Sequence, residues 1–388
     1  MIYYLCFMKN IIRFILLITL GFIAGIVIAG IAVIFIKGVP VNVFIDKLLK
    51  IDFTKIIKVL VTLSISSLFA LYFHIIVHEG GHLVCGLATG YKFVSFRIFS
   101  WTLIKEENKY KIKKFSLAGT GGQCLLEMPD LPEDKLPVVW YNIGGVLGNI
   151  IFSLLALAIL LIFNNGKYVS ASLIIFIVIG LFLALTNGIP MKIQGISNDA
   201  ANVLSLRKHP EGKIGLKLQL SVNAQCQRGV RLKDMPEDWF IVDDDFRPSD
   251  TIDAGLATMT ASRYIDIREF DKAYDIFNKI IAPESKAIGI YVKESMCEMV
   301  FLSLLKGDEE KFNQLYTKQL EKYINQFKGI MSSKMRILFT IALLHDNDKA
   351  KAEEIYNKLL IDRDKFLMKG EVEMDLDLMK EILTKYQS

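Results

Sequence analysis

The sequence predicts an all-α polytopic membrane domain followed by a soluble C-terminal domain. The membrane part is read as about four transmembrane helices with a small β-hairpin insertion. The C-terminal part is read as an α-helical repeat of tetratricopeptide-like character. Three observations carry this. The 388 residues are 52% hydrophobic, with a mean hydropathy of +0.38, too apolar for an ordinary soluble protein. Uncharged apolar runs long enough to span a bilayer recur as far as Met191. Beyond about residue 210 the chain turns polar and then helical in period. The expected domains are therefore 1–209, membrane-embedded, and 210–388, soluble.

The first run, 14–36, follows Lys9 and Arg13 and is too long for a signal-peptide core, so it reads as a retained anchor. Residues 37–58 form an amphipathic connector, and a second span runs from about Val59 into His78. A charged stretch from Tyr91 to Leu117 follows, in which "KFVSFRIFSWTLI" and "KYKIKKF" flank the turn-like "KEEN", the pattern of a strand hairpin. The glycines of "AGTGGQ" (Gly119, Gly121 and Gly122) read either as a simple turn or as a flexible lip beside that hairpin. Two further apolar runs, 138–163 and 169–191, are separated by "NNGK".

Past residue 250 a short pattern recurs: "KAYDIFNKII" from Lys272, "KFNQLYTKQL" from Lys311 and "KAEEIYNKLL" from Lys351. Each is preceded by another helix-like run. A spacing near 40 residues fits stacked helical hairpins, whose apolar positions face a partner helix. Five scattered cysteines show neither metal-knuckle spacing nor a disulfide framework.

Chemistry is concentrated in "FHIIVHEGGHLVCG", at the end of the second span. His78-Glu79-Gly80-Gly81-His82 is an H-E-x-x-H pattern. On a helix, residues four apart lie one above the other, so both imidazoles can face one metal ion with Glu79 beside it to handle a water. Ionisable groups at the end of a membrane span are expensive and usually functional. Zinc needs a third protein ligand and an open position. After Asp134 there is no Asp, Glu, His or Cys until Asp199, just beyond the last span. Locally, Asp199 reads either as that ligand or as a helix cap, because "SND" before "AANVLSL" is also a cap signature.

With these residues the chain resembles the site-2 protease family of intramembrane zinc metalloproteases. The resemblance rests on HEGGH, then Gly144-Gly145-Val146-Leu147-Gly148-Asn149, then Asn187-Gly188-Ile189-Pro190 followed by Asp199, and covers about residues 59–203. Val146 stands where the family usually has proline, and Ala200 where glycine follows the aspartate. The resemblance implies one Zn2+ per chain held by His78, His82 and Asp199, with Glu79 as the general base. It also implies Asn149 as an oxyanion donor; Asn187 either lines the site or braces a helix break. His74, one turn before His78, is outside the family's pattern and is expected to be packed.

The expected activity is hydrolysis of a peptide bond in a membrane protein, leader or signal peptide near the cytoplasmic face. The alternative is a membrane-anchored helical-repeat adaptor with a degenerate metal site. Expected partners are the lipid bilayer, the membrane protein or peptide substrate, and a protein docking on the C-terminal repeats. The net charge of +5 is modest and fits basic membrane flanks, so no nucleic acid is expected. Lys and Arg crowd the 92–135 loop and the segment after the last span, which places both, and the C-terminal domain, in the cytoplasm. An Ile-, Lys- and Asn-rich composition suggests a bacterium and hence a multi-pass plasma-membrane protein.

Overall fold

A computed structural model of the chain describes residues 52–106, 109–115, 121–193, 196–210 and 212–387, with isolated positions between 16 and 46. The expected first span, 14–36, is described only at isolated positions, and its flanking Lys9 and Arg13, and Gly119, lie outside the described residues. Among those described, three helices are long and apolar enough to cross a membrane. They are α1 (Phe53–Ala88), α2 (Val138–Ile162) and α3 (Lys167–Gly188). At about 1.5 Å per residue, α1 outruns a hydrocarbon core of about 30 Å. Its HEGGH motif can therefore share one helix with a full span.

The chain divides into two compact units. The first comprises residues 1–77 and 147–185. In it, Phe73 packs edge-on against Phe152 and tilted against Phe176, with ring centroids 5.4 and 5.3 Å apart. Ser66 and Ser172 share a 2.7 Å hydrogen bond. The outward faces carry exposed Ile65, Phe69, Leu161 and Phe182, as lipid-facing helices require.

The second unit comprises residues 78–146 and 186–388. Its sheet is larger than the expected hairpin. Strands β1 (Lys92–Ile98), β2 (Trp101–Glu106), β3 (Lys109–Lys114) and β4 (Gly122–Glu127) pair antiparallel in the order β3-β2-β1-β4. The glycine segment read as a turn or lip thus leads into a fourth strand. Its residues Cys124, Leu125 and Leu126 are all buried, so the period-two alternation that marks a half-exposed strand is missing. A two-residue ribbon, β5 (Lys192–Ile193) with β6 (Ile196–Ser197), precedes α4 (Asp199–Lys208) and α5 (Gly212–Gln227).

Helix α5 belongs to two cores at once. Leu220 and Ala224 pack with Val94, Leu126 and Leu136, and with Leu206 of α4. Val222 and Cys226 enter a second core built from the helices that follow. Ion pairs Lys217–Asp130 (2.7 Å) and Arg228–Glu127 (2.6 Å) join α5 to the end of β4 and the segment after it.

The C-terminal helices are α6 (Thr251–Asp266), α7 (Phe270–Ile281), α8 (Gly289–Lys306), α9 (Glu309–Leu315), α10 (Lys318–Phe327), α11 (Ser332–Thr340), α12 (Lys349–Asp362) and α13 (Lys369–Gln387). Consecutive helices pack as pairs: α6 on α7, α8 on α9, and α11 on α12. The first and third sequence repeats lie wholly within α7 and α12. The second is broken: Thr317 caps α10 by accepting from the Leu320 N–H at 3.3 Å, which ends α9 before it. Asp308 and Asp348 cap α9 and α12 identically, each accepting at 2.9 Å from the N–H three residues on.

Buried charge sits between α8, α11 and α13. Lys334 pairs with Glu294, and Arg336 with both Glu298 and Asp375, each at 2.6 Å. Burial, and the nearby carboxylates of Asp375, Glu294 and Glu298, push the Glu371 carboxyl up from its ordinary 4.5 to about 8, against the pull of Lys334. Between those two values the folded state holds a proton that the unfolded state releases. Stability is therefore expected to fall as pH rises from about 5 to 8, with a slope of at most about 1.4 kcal/mol per pH unit. Thermal unfolding of the full chain across this range should show the decline, and Glu371→Gln should flatten it. A Tm that rises with pH and ignores this substitution would contradict the assignment.

Candidate metal centre

His78 and His82 stand one turn apart on α1, and the chain returns after α3 to place Asp199 opposite them. His78 Nε2 and His82 Nε2 are 3.2 Å apart. Asp199 Oδ2 lies 3.2 Å from the first and 3.5 Å from the second. Zinc bonded tetrahedrally at about 2.0–2.2 Å would hold its ligand atoms about 3.3–3.5 Å apart. The three separations, 3.2, 3.2 and 3.5 Å, lie within about 0.1 Å of that range. Asp199 Oδ2 is buried with no hydrogen-bond partner, which is costly unless a cation balances it. The group could hold a metal ion.

The backbone around the site orders the ligands. His82 Nδ1–H donates to the Tyr141 carbonyl at 2.7 Å. A carbonyl can only accept, so the proton is on Nδ1 and the Nε2 lone pair faces Asp199 and His78. His78 donates to the Gly145 carbonyl. These bonds require α2 to approach α1 very closely. A Cβ on Gly81 would sit 2.1 Å from the Gly144 carbonyl oxygen, and one on Gly145 would sit 2.5 Å from His78 Cε1. Of the glycines quoted for the family resemblance, Gly145 is thus the surface on which the imidazoles rest, and Gly144 meets the Gly81 backbone.

The two readings of Asp199 separate here. The cap of α4 is Asn198, not Asp199: its Oδ1 accepts from the Ala201 N–H at 2.9 Å. The same side chain accepts from the Met191 N–H at 3.2 Å and donates to the carbonyls of Thr186 and Ile189, both at 2.7 Å. Asn198 therefore ties the end of α3 to the start of α4 and leaves the next residue, Asp199, turned toward the histidines. Sequence reasoning saw the cap signature but did not single out Asn198.

Glu79 lies beside the triad. Its carboxylate accepts from the Cys124 backbone N–H of β4, and its side chain rests on Gly122, where a Cβ would come within 2.4 Å of its Cγ. Tyr141 also ties α2 to this strand, donating its hydroxyl to the Cys124 carbonyl at 2.7 Å. His74 is fully buried in the first unit. Its Nε2–H donates to the Phe176 carbonyl at 3.1 Å, and its Nδ1 is 3.2 Å from Asn149 Oδ1. Asn149 is likewise buried in that unit, and Asn187 is half-buried in the last turn of α3.

A sequence model of peptidase family M50 matches residues 66–356, most of the chain. The chain belongs to that family. No curated protein and no solved structure matches it. The resemblance to site-2 proteases is borne out, since this is the same family. Membership points to a peptidase of the metallo type, and the three long apolar helices among the described residues agree with membrane association. In this M50 peptidase the family match runs from inside α1, across the metal centre, and on through most of the C-terminal helices.

Proposed function

We propose that the chain is a zinc-dependent endopeptidase of the membrane, cutting a membrane protein, leader or signal peptide near the cytoplasmic face. The observation that carries this is the meeting of three ligand atoms at tetrahedral spacing, with Glu79 next to them. His78, His82 and Asp199 would hold one zinc ion. When bound, zinc lowers the pKa of a ligated water and polarises the scissile carbonyl. Glu79 takes the proton of the attacking water and passes it to the leaving amine. Asn149 keeps the oxyanion-donor role that the family resemblance implies, and Asn187 either lines the site or braces the helix break. An intact triad weighs against the degenerate-site adaptor.

The basic segments 92–135 and 192–217 support a cytoplasmic C-terminal region in a bacterial plasma membrane. The paired helices α6–α13 offer an extended surface of the tetratricopeptide type, suited to docking a protein partner or the substrate's soluble part. The test is metal content together with proteolysis. Full-length protein in detergent should carry about one zinc per chain, and His82→Ala or Asp199→Ala should each reduce it sharply. The wild type should cut members of a panel of fluorophore–quencher single-span peptides containing a Gly-Pro break, and a chelator should stop it. Chelator-insensitive cleavage, or none across the panel, would overturn the reading. Full zinc occupancy in Asp199→Ala would remove that residue from the ligand set.

A further inference from the structure

Arg97 is a fully buried charged side chain near the candidate metal centre that has no part in the proposed reaction. It lies on β1 with a relative exposure of 1%. Its side chain is on the inward face of the sheet, paired in register with the buried Thr102 of β2. Sequence alternation hid it, because a strand's buried face is expected to be apolar. Removing a guanidinium from water costs several kcal/mol unless hydrogen bonds and an opposite charge compensate, so a chain that keeps one there is using it.

What it holds is the wall against which Glu79 rests. One guanidinium nitrogen donates to the Phe99 carbonyl at 2.9 Å and the other to the Gly122 carbonyl at 3.2 Å. Phe99 is in the left-handed region, with φ of 53°, a conformation that a bulky residue adopts only when its surroundings impose it. Its N–H in turn donates to the Gly121 carbonyl at 2.8 Å. The β1–β2 corner and the start of β4 thus form one frame, with Arg97 as the brace across it. Gly122, held by that brace, is the residue whose Cα lies against the Glu79 side chain; an added Cβ would be 2.4, 2.6 and 2.8 Å from its Cγ, Oε1 and Cδ. The Glu79 carboxylate is among the charges that act on Arg97.

We infer that Arg97 is a positioning residue for Glu79. Through the carbonyls of Phe99 and Gly122 it fixes the frame that holds the Glu79 carboxylate at one place beside the metal ligands. Its planar fork spans two carbonyls at once, which a lysine's single ammonium cannot reproduce. It is not among the converging ligand residues, and its hydrogen bonds to Phe99 and Gly122 go to backbone carbonyls, so its effect is expected in turnover rather than in metal binding. The inference rests on the proposed role of Glu79 as general base.

The experiment compares wild type, Arg97→Lys, Gly122→Ala and Glu79→Gln as full-length protein in detergent, on the single-span peptide that the wild type cuts best. Zinc content, Tm, kcat and KM are read for each. Arg97→Lys keeps the charge and loses the fork; kcat is expected to fall about 10–100-fold, with KM, zinc stoichiometry and Tm close to wild type. Gly122→Ala, which pushes on Glu79 from the same side, should give the same signature. An Arg97→Lys enzyme as fast as wild type, or one whose loss lies in KM, in zinc content or in Tm, would overturn the positioning role while Glu79→Gln stays inactive. If the wild type itself shows no chelator-sensitive cleavage, the protease reading fails first, and the role of Arg97 fails with it.

Discussion

Glu79→Gln is expected to keep zinc and fold while lowering kcat by about 10²–10⁴-fold, the usual contribution of a positioned general base. The amide has nearly the shape of the carboxylate and can still accept from the Cys124 N–H that Glu79 engages. It cannot accept a proton from water. Glu79 is not among the three residues whose ligand atoms converge, so metal stoichiometry should match wild type, and KM should hold because ground-state binding is untouched. The comparison is made on the same peptide, with zinc measured on the same samples. Undiminished turnover in Glu79→Gln would remove this residue from the chemistry, and a matching loss of zinc would make it a ligand instead.

Gly145→Ala is expected to damage the candidate metal centre directly. Alanine is the better helix former by about 1 kcal/mol, so helix propensity alone would favour the change. The new Cβ, however, would stand 2.5 Å from His78 Cε1, 2.6 Å from its Nδ1 and 2.7 Å from His82 Nε2. Nearby, Gly81 and Gly144 already bring α1 and α2 into backbone contact, with a Cβ on Gly144 falling 2.4 Å from the Gly81 carbonyl oxygen, so separating the helices would forfeit that packing. The imidazole side chains, which face the new methyl, are expected to swing. Zinc affinity, read by competition with a chelator, should drop at least tenfold, and cleavage should drop with it, at nearly unchanged helix content. Wild-type affinity in Gly145→Ala would mean that the histidines do not rest on this glycine.

The histidine pair of the candidate metal centre, with Glu79 beside it, was legible from spacing alone, because His78 and His82 share one helical face and the four-residue period is local. Long apolar spans and the paired C-terminal helices were legible for the same reason: each is written in a periodicity that a short window reveals. The second repeat shows the limit of such windows. Its pattern matches the other two, yet Thr317 offers the backbone a cap that ends α9 and begins α10. Strand β4 was missed because it is buried on both faces and carries no alternation.

Asp199 could be named from its isolation in the sequence, but not told from a cap until Asn198 was seen to take that role. Nothing local marks Arg97 as the brace beside Glu79, or Gly145 as the seat of both imidazoles, or α5 as a helix shared by two cores. In each case the partner is remote in sequence: Gly122 for Arg97, His78 for Gly145, Leu126 for Leu220. Periodicity shows which face of an element is apolar or reactive. Which other element meets that face depends on close packing between segments far apart in the chain, where a single Cβ or one carbonyl direction decides the outcome.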